Sequence, residues 1–394
     1  MKILIILGCI IIAVLHAQPA RSGELIDFGE PNAQILWQQF RDLEAGKYRQ
    51  AMRIMQIGDS HTAGDYFTGQ LRNRLQARYG NAGVGWIPPG NIVNQRSAAF
   101  RLTSKGKWDL LDSKMPAHSG IFPLGGLVNI TQTNASAEFT AKDPLKEGRW
   151  FMHIWLQGKQ PWRLRLSDGS LMHLSPKRDK FTPWSLLSVE THTQGITAFS
   201  LEGPAHSALG GLFLDRDSPG ITLDAMGING AKGNVIGRWD GQTLRKQMQW
   251  RKPKLIILAY GTNEAFDLKF DSSEFAQTLR DNIRSLRFLA PGAAILIVGA
   301  PANAKNSPPN LTASCPQGVA KGLPNVVTVQ KRVAQEEKTL YWDWAGFMGG
   351  ICAAPHWAQL SPPLMGKDLI HLSKEGYEAS ADDLFGALQA KIRL

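Results

Sequence analysis

The 394-residue sequence predicts an α/β protein, a parallel sheet covered on both faces by helices and interrupted by a β-sandwich or jelly-roll insertion. Three observations predict it. A buried strand, a glycine turn and an amphipathic helix follow one another between residues 50 and 80. Strands and helices alternate again from about residue 220 to the C-terminus, as a parallel sheet requires. Between them, residues 97–218 show period-two and aromatic runs broken by Gly, Pro, Asp and Asn, with no convincing helix.

The chain opens on Met1-Lys2 followed by the apolar run ILIILGCIIIAVLHA, with the small residue Ala17 ahead of Gln18. A basic flank, a short apolar stretch and a small residue at its end read as a secretory signal peptide over 1–17. The run falls short of the roughly 18 residues that cross a bilayer comfortably, so no integral span is expected in the mature protein. Lipoprotein processing at Cys9 is the weaker reading, because it leaves little apolar run ahead of the cleavage point. The expected destination is the periplasm or another secreted location.

The segment RQAMRIMQIGDS reads as a buried strand, and YFTGQLRNRLQARYG as a helix ending at Gly80. Later strands are expected at ITLDA, KLIILA, AAILIV and TLYWDW. Helices are expected near GNVIGRWDGQTLRKQMQW, SSEFAQTLRDNIRSLRFLA, NVVTVQKRVAQEE and SKEGYEASADDLFGALQAKI. The catalytic-type domain is therefore discontinuous, 18–96 and 219–394, around a β-rich insertion at 97–218. Trp150, Trp155, Trp162 and Trp184 lie in that insertion, where a tryptophan either fills the core or stacks on a sugar ring.

With 43% hydrophobic and 20% charged residues, the composition is that of a globular protein, against disorder or a membrane-embedded chain. The net charge of +11 is scattered, as in LRNRLQAR at 71–78. For a secreted chain it favours acidic glycans, peptidoglycan stem peptides or anionic lipids over nucleic acid, or serves solubility alone, and charge by itself does not choose. Cys315 and Cys352 form an even pair once Cys9 leaves, so a disulfide is plausible in an oxidising compartment. Neither has a zinc-ligand spacing to another Cys or His, and no metal or cofactor is expected.

Four loops carry chemistry. GDSHT at 58–62 places Ser60 where a parallel strand ends, the edge at which open α/β sheets bind ligands, although a serine there also caps helices. GKDLIHLSKEG places Asp368 three residues before His371, which suits a base whose tautomer a carboxylate holds. MGINGAKG and YGTNEA follow two more strands. The N–H of Gly230, the side-chain amide of Asn263 and the N–H of Ser60 could together receive an acyl-transfer oxyanion, while turn chemistry is the ordinary role of such Gly and Asn residues.

The succession Ser60, Gly230, Asn263, then Asp368 and His371, resembles the blocks of the SGNH (GDSL-type) hydrolases. It is most similar to the periplasmic peptidoglycan O-acetylesterases, through GDSHTAGDYFTGQLR, GINGA, YGTNEA and the C-terminal DxxH. The resemblance implies a three-layer α/β/α, flavodoxin-like domain and a carbohydrate-binding-like insertion. It also implies a metal-independent serine esterase that removes acetyl groups from muramoyl O-6 of peptidoglycan through an acetyl-Ser60 intermediate. Gly227 and Gly233 lie close enough to Gly230 to compete for the second block. His61 after the nucleophile and Glu264 after Asn263 depart from the common pattern, and neither is expected to touch the proposed roles. The alternatives are an esterase on another acetylated glycan or on lipid, an acyl transferase, and a glycan-binding protein with a vestigial site.

Overall fold

The computed structural model describes residues 23–118, 120–177, 180–193, 197–304, 315 and 318–394. The expected signal peptide at 1–17 lies outside the described residues. Among them, no helix is long and apolar enough to cross a membrane.

The main sheet runs in the order Leu25–Asp27, Leu340–Trp342, Ala294–Val298, Leu255–Ala259, Ala51–Gly58, Gly220–Gly227. Its last five strands are mutually parallel, and Leu25–Asp27, absent from the sequence expectation, adds an antiparallel edge. Taken in chain order, the parallel strands stand as 2-1-3-4-5, the flavodoxin-like order. In that order ligands bind where the first and third strands part. Leu255–Ala259 and Ala294–Val298 are buried along their whole length, because helices cover both faces. One face packs on Ala33–Glu44, Phe67–Tyr79 and Lys374–Arg393 through Phe40, Leu71 and Leu384. The other packs on Gly241–Arg251, Ser272–Leu289 and Leu323–Glu336 through Met248, Ile283 and Val333.

Local chemistry starts these helices where the sequence places them. Asp240, Asp271 and Ser373 each accept a backbone N–H from the first turn that follows. The stretch expected as one helix near GNVIGRWDGQTLRKQMQW is instead a 3₁₀ turn, Gly233–Arg238, and then the helix Gly241–Arg251. Asp240 divides them, because its side chain caps Thr243 and so begins a new helix there.

The insertion is a β-sandwich. Its outer sheet runs Leu171–Leu174, Trp162–Leu166, Ala198–Gly203, Ala135–Ala141, Phe100–Lys105. The inner sheet runs Ser185–Thr193, Gly148–Gln157, Ala208–Arg216, Leu127–Thr131, Trp108–Asp112. Phe139, Phe199, Ile154 and Leu212 fill the space between the two. The inner sheet also takes Gly83–Ile87, which pairs with Ala208–Arg216 although it precedes residue 97. Its opposite face lies on the core of the α/β part, where Trp155 and Phe213 join Leu244 and Met248. Burial of both faces leaves Ala208–Leu214 without a polar-out alternation. All four candidate stacking tryptophans are core. Trp150, Trp155, Trp162 and Trp184 are at most 3% exposed, so none can lie on a sugar.

A buried ionic cluster joins the two parts. Arg251, at the end of its helix, forks onto both oxygens of Asp224 at 2.7 Å each and reaches Asp215 of the insertion at 2.5 Å. Its guanidinium lies 4.6 Å from the Phe213 ring centroid. Asp224 also accepts the Trp86 N–H at 3.0 Å. Cys315 and Cys352 are joined by a disulfide, with 5.3 Å between their Cα atoms.

Candidate active site

Three strands deliver three loops to one edge. Gly58 is in register with both Gly227 and Ala259, so the chain leaves the sheet at the same height in all three places. Ser60 opens the single turn Ser60–Ala63, and Asp59 caps it by accepting the His61 N–H at 2.9 Å. Gly227 is a packing requirement, since a Cβ there would come 2.1 Å from the Ala63 nitrogen.

Ser60 Oγ lies 2.9 Å from His371 Nε2, and His371 Nδ1 lies 2.7 Å from Asp368 Oδ2. Asp368 Oδ1 accepts the N–H groups of Ile370 and His371, both at 3.0 Å, which fixes the carboxylate against its own turn. Partial burial works to raise the Asp368 carboxyl, but the hydrogen bonds from His371 and the two backbone N–H groups outweigh it and hold it below the usual range. With that carboxylate facing Nδ1, the imidazole carries its proton there and turns the Nε2 lone pair to Ser60. A hydroxyl, an imidazole and a carboxylate in this line can deprotonate the hydroxyl as it attacks an acyl carbon.

Asn263 sits in the turn Thr262–Ala265 after Leu255–Ala259, and its Nδ2 donates to the Ala231 carbonyl at 2.9 Å. This ties it to the neighbouring Gly230 loop. Gly230 is exposed and has φ +74°, a conformation that favours glycine. The insertion reaches this point too: Lys114 Nζ lies 3.9 Å from where a Cβ on Gly230 would be. Its turn is clamped by Arg238, which donates to the Ser113 and Lys114 carbonyls at 3.0 and 2.7 Å.

His61 lies behind the site. Its Nδ1 is 2.8 Å from the Tyr377 hydroxyl, and its ring centroid 5.5 Å from that of His371. Burial, then the charge of His371, pushes it down to about 3, so it stays neutral and backs the catalytic-type imidazole. Sequence reasoning passed over Asp59 and Tyr377, and expected no part in the site for Glu264. Burial pushes the Asp59 carboxyl up to about 8, with a further rise from the neighbouring Glu264. Glu264 is buried between two loops, and its position after Asn263 was the only available signal.

A flavodoxin-like sheet with a serine, a histidine and an aspartate aligned at its carboxyl edge defines a carboxylic ester hydrolase, and the GDSL-like lipase/acylhydrolase family matches residues 193–379. A second family, described as peptidoglycan O-acetylesterase, N-terminal, matches residues 82–193. A solved peptidoglycan O-acetylesterase is 31% identical over 94% of this chain and 99% of its own, with a TM-score of 0.77. The chain belongs to the peptidoglycan O-acetylesterase family.

Family two carbohydrate esterases are similar only distantly. That of Clostridium thermocellum, in complex with cellohexaose, is 10% identical over 74% of this chain and 99% of its own, with a TM-score of 0.31. That of Cellvibrio japonicus is 11% identical over 74% and 99%, with a TM-score of 0.30. Neither likeness carries weight. No curated protein matches the chain.

Proposed function

We propose that this protein is a secreted, periplasmic esterase that removes O-acetyl groups from muramoyl O-6 of peptidoglycan through an acetyl-Ser60 intermediate. The observation that carries the mechanism is the line from Ser60 through His371 to Asp368, at 2.9 and 2.7 Å. His371 Nε2 takes the Ser60 proton as Oγ attacks the acetyl carbon. The resulting oxyanion is received by the N–H groups of Ser60 and Gly230 and by the Asn263 amide. When the tetrahedral intermediate collapses, the C–O bond to the sugar breaks and His371 returns the proton to O-6. Water then repeats the sequence on the acetyl-enzyme, releasing acetate and restoring Ser60.

The mature protein should release acetate from O-acetylated peptidoglycan faster than from acetylated xylan, with Ser60→Ala as the blank. Equal or inverted preference would move the substrate to another acetylated glycan. Asn263→Ala should lower kcat by about 100- to 1,000-fold on either substrate, the usual loss of one oxyanion donor.

The domain reading is 18–96 with 219–394 as hydrolase and 97–218 as a glycan-holding insertion, to which Gly83–Ile87 contributes a strand. With the tryptophans buried, support comes from an open groove of about 530 Å³ on the outer sheet. Along it stand His173, Arg163, Glu202, Ser136 and Lys105, each paired in register with the next. Alternating donors and acceptors suit a hydroxyl-rich, acid-bearing strand. Arg163→Ala with His173→Ala should weaken binding to insoluble peptidoglycan about tenfold, roughly one charged hydrogen bond. Turnover of a soluble acetyl ester should stay unchanged, and undiminished sedimentation with peptidoglycan would remove this role.

A further inference from the structure

We infer that Glu264 is a positioning residue of the oxyanion hole, a brace that fixes the Gly230 loop against the Asn263 turn. The inference rests on the roles proposed above for Gly230 and Asn263. It concerns what sets the distance between them.

The Glu264 side chain is buried and divides its two oxygens between two loops. Oε2 accepts the Gly261 N–H at 3.0 Å, closing the turn in which Asn263 sits. Oε1 crosses to the other loop and accepts the Gly233 N–H at 2.8 Å. Asn263, the residue before it, donates to Ala231 in that same loop. Two consecutive side chains of one short turn therefore grip the chain at 231 and 233, immediately after Gly230. A third grip comes from the helix Ser272–Leu289, where Asn282 Nδ2 donates to the Gly233 carbonyl at 2.9 Å.

These anchors act beside others on the same loop: the Ala231 N–H donates to the Ile228 carbonyl at 3.0 Å, Asn229 Nδ2 to the Asn94 carbonyl at 3.1 Å, and Lys232 pairs with Asp267. Gly230 is exposed and has no side chain to pack, so the direction of its N–H depends on how the chain is pinned on either side, and on the C-terminal side Glu264, Asn263 and Asn282 do the pinning. An oxyanion donor earns its effect by being aimed before the reaction begins, and small errors in aim are costly. A carboxylate suits this task because it is acceptor-only and can serve two N–H groups at once. Glutamine keeps the length but turns an NH₂ toward one of the two donors. Aspartate keeps the charge but is one methylene too short to reach across.

The test uses the full chain and a soluble acetyl ester, p-nitrophenyl acetate, beside O-acetylated peptidoglycan. Glu264→Gln and Glu264→Asp should each lower kcat about 10- to 100-fold on the soluble ester with KM within about twofold, short of the loss of a donor outright. Adding Glu264→Gln to Asn263→Ala should cost less than about threefold more, because both act on one hole. Loss of stability alone would also lower apparent kcat at constant KM, so turnover is expressed per folded enzyme, the folded fraction being read from thermal unfolding; a pure stability loss then leaves kcat unchanged.

A kcat within twofold of wild type, or full additivity in the double variant, overturns the proposal. Should neither Glu264 variant fold, Asn282→Ala releases the other side of the same Gly233 peptide. A fall in kcat at constant KM then supports the brace, and an unchanged kcat overturns it. Turnover of the soluble ester without acetate release from peptidoglycan would instead overturn the substrate assignment and leave the Glu264 comparison intact.

Discussion

Ser60→Ala is expected to lower acetate release by roughly 10,000- to 1,000,000-fold, and His371→Ala by a similar factor. The two act as one unit: without the hydroxyl there is no nucleophile, and without the imidazole nothing takes its proton at neutral pH. Combining the substitutions should therefore cost little beyond either one. Both variants should keep the fold, since Ser60 and His371 are only partly buried and neither fills the core. The measurement is turnover of a soluble acetyl ester, with circular dichroism as the control. Undiminished turnover in either folded variant would remove the serine mechanism. Asp368→Asn should cost less, because the two backbone N–H groups that grip Oδ1 can still hold an amide oxygen.

The parallel sheet was readable because its strands are short apolar runs followed by turn residues, and LIILA and AILIV, buried on both faces, leave no other assignment. The loops that hold Ser60 and Asn263 were readable for the same reason, since they sit at strand ends where polar residues interrupt an apolar grammar, and the Asp368–His371 pair was readable from its spacing just ahead of the last helix. Gly83–Ile87 was not. Its sequence GVGWI has neither alternation nor length, and only pairing with the distant Ala208–Arg216 makes it a strand. The tryptophans show the opposite limit. Composition says that aromatic residues are present, but whether a ring faces a sugar or a core depends on which sheet face is covered, by the facing sheet for Trp150 and Trp162 or by the α/β part for Trp155 and Trp184. Glu264 was hidden likewise, because its partner Gly233 lies 31 residues away on another loop.

The largest stability effect is expected at Arg251, where the two parts of the molecule meet. Arg251→Met would fill much of the space but leave Asp224 buried without a paired cation and Asp215 with Arg53 alone, 3.5 Å away, and breaking a buried pair typically costs about 3–5 kcal/mol. The loss should depend on pH in a definite direction. Burial already raises the Asp224 carboxyl in the wild type, and removing the Arg251 guanidinium that opposes this raises it further. Its protonated form is then tolerated in acid, and stability falls as pH rises through the raised value. The gap to wild type should be small near pH 4 and widest above neutrality, read as the difference in thermal midpoint across pH. Adding Asp215→Asn and Asp224→Asn to Arg251→Met should flatten that dependence and recover part of the loss, since the remaining amides need hydrogen bonds but no counter-charge. A gap that is constant with pH would mean that Arg251 contributes through packing on Phe213 rather than by neutralising the two carboxylates.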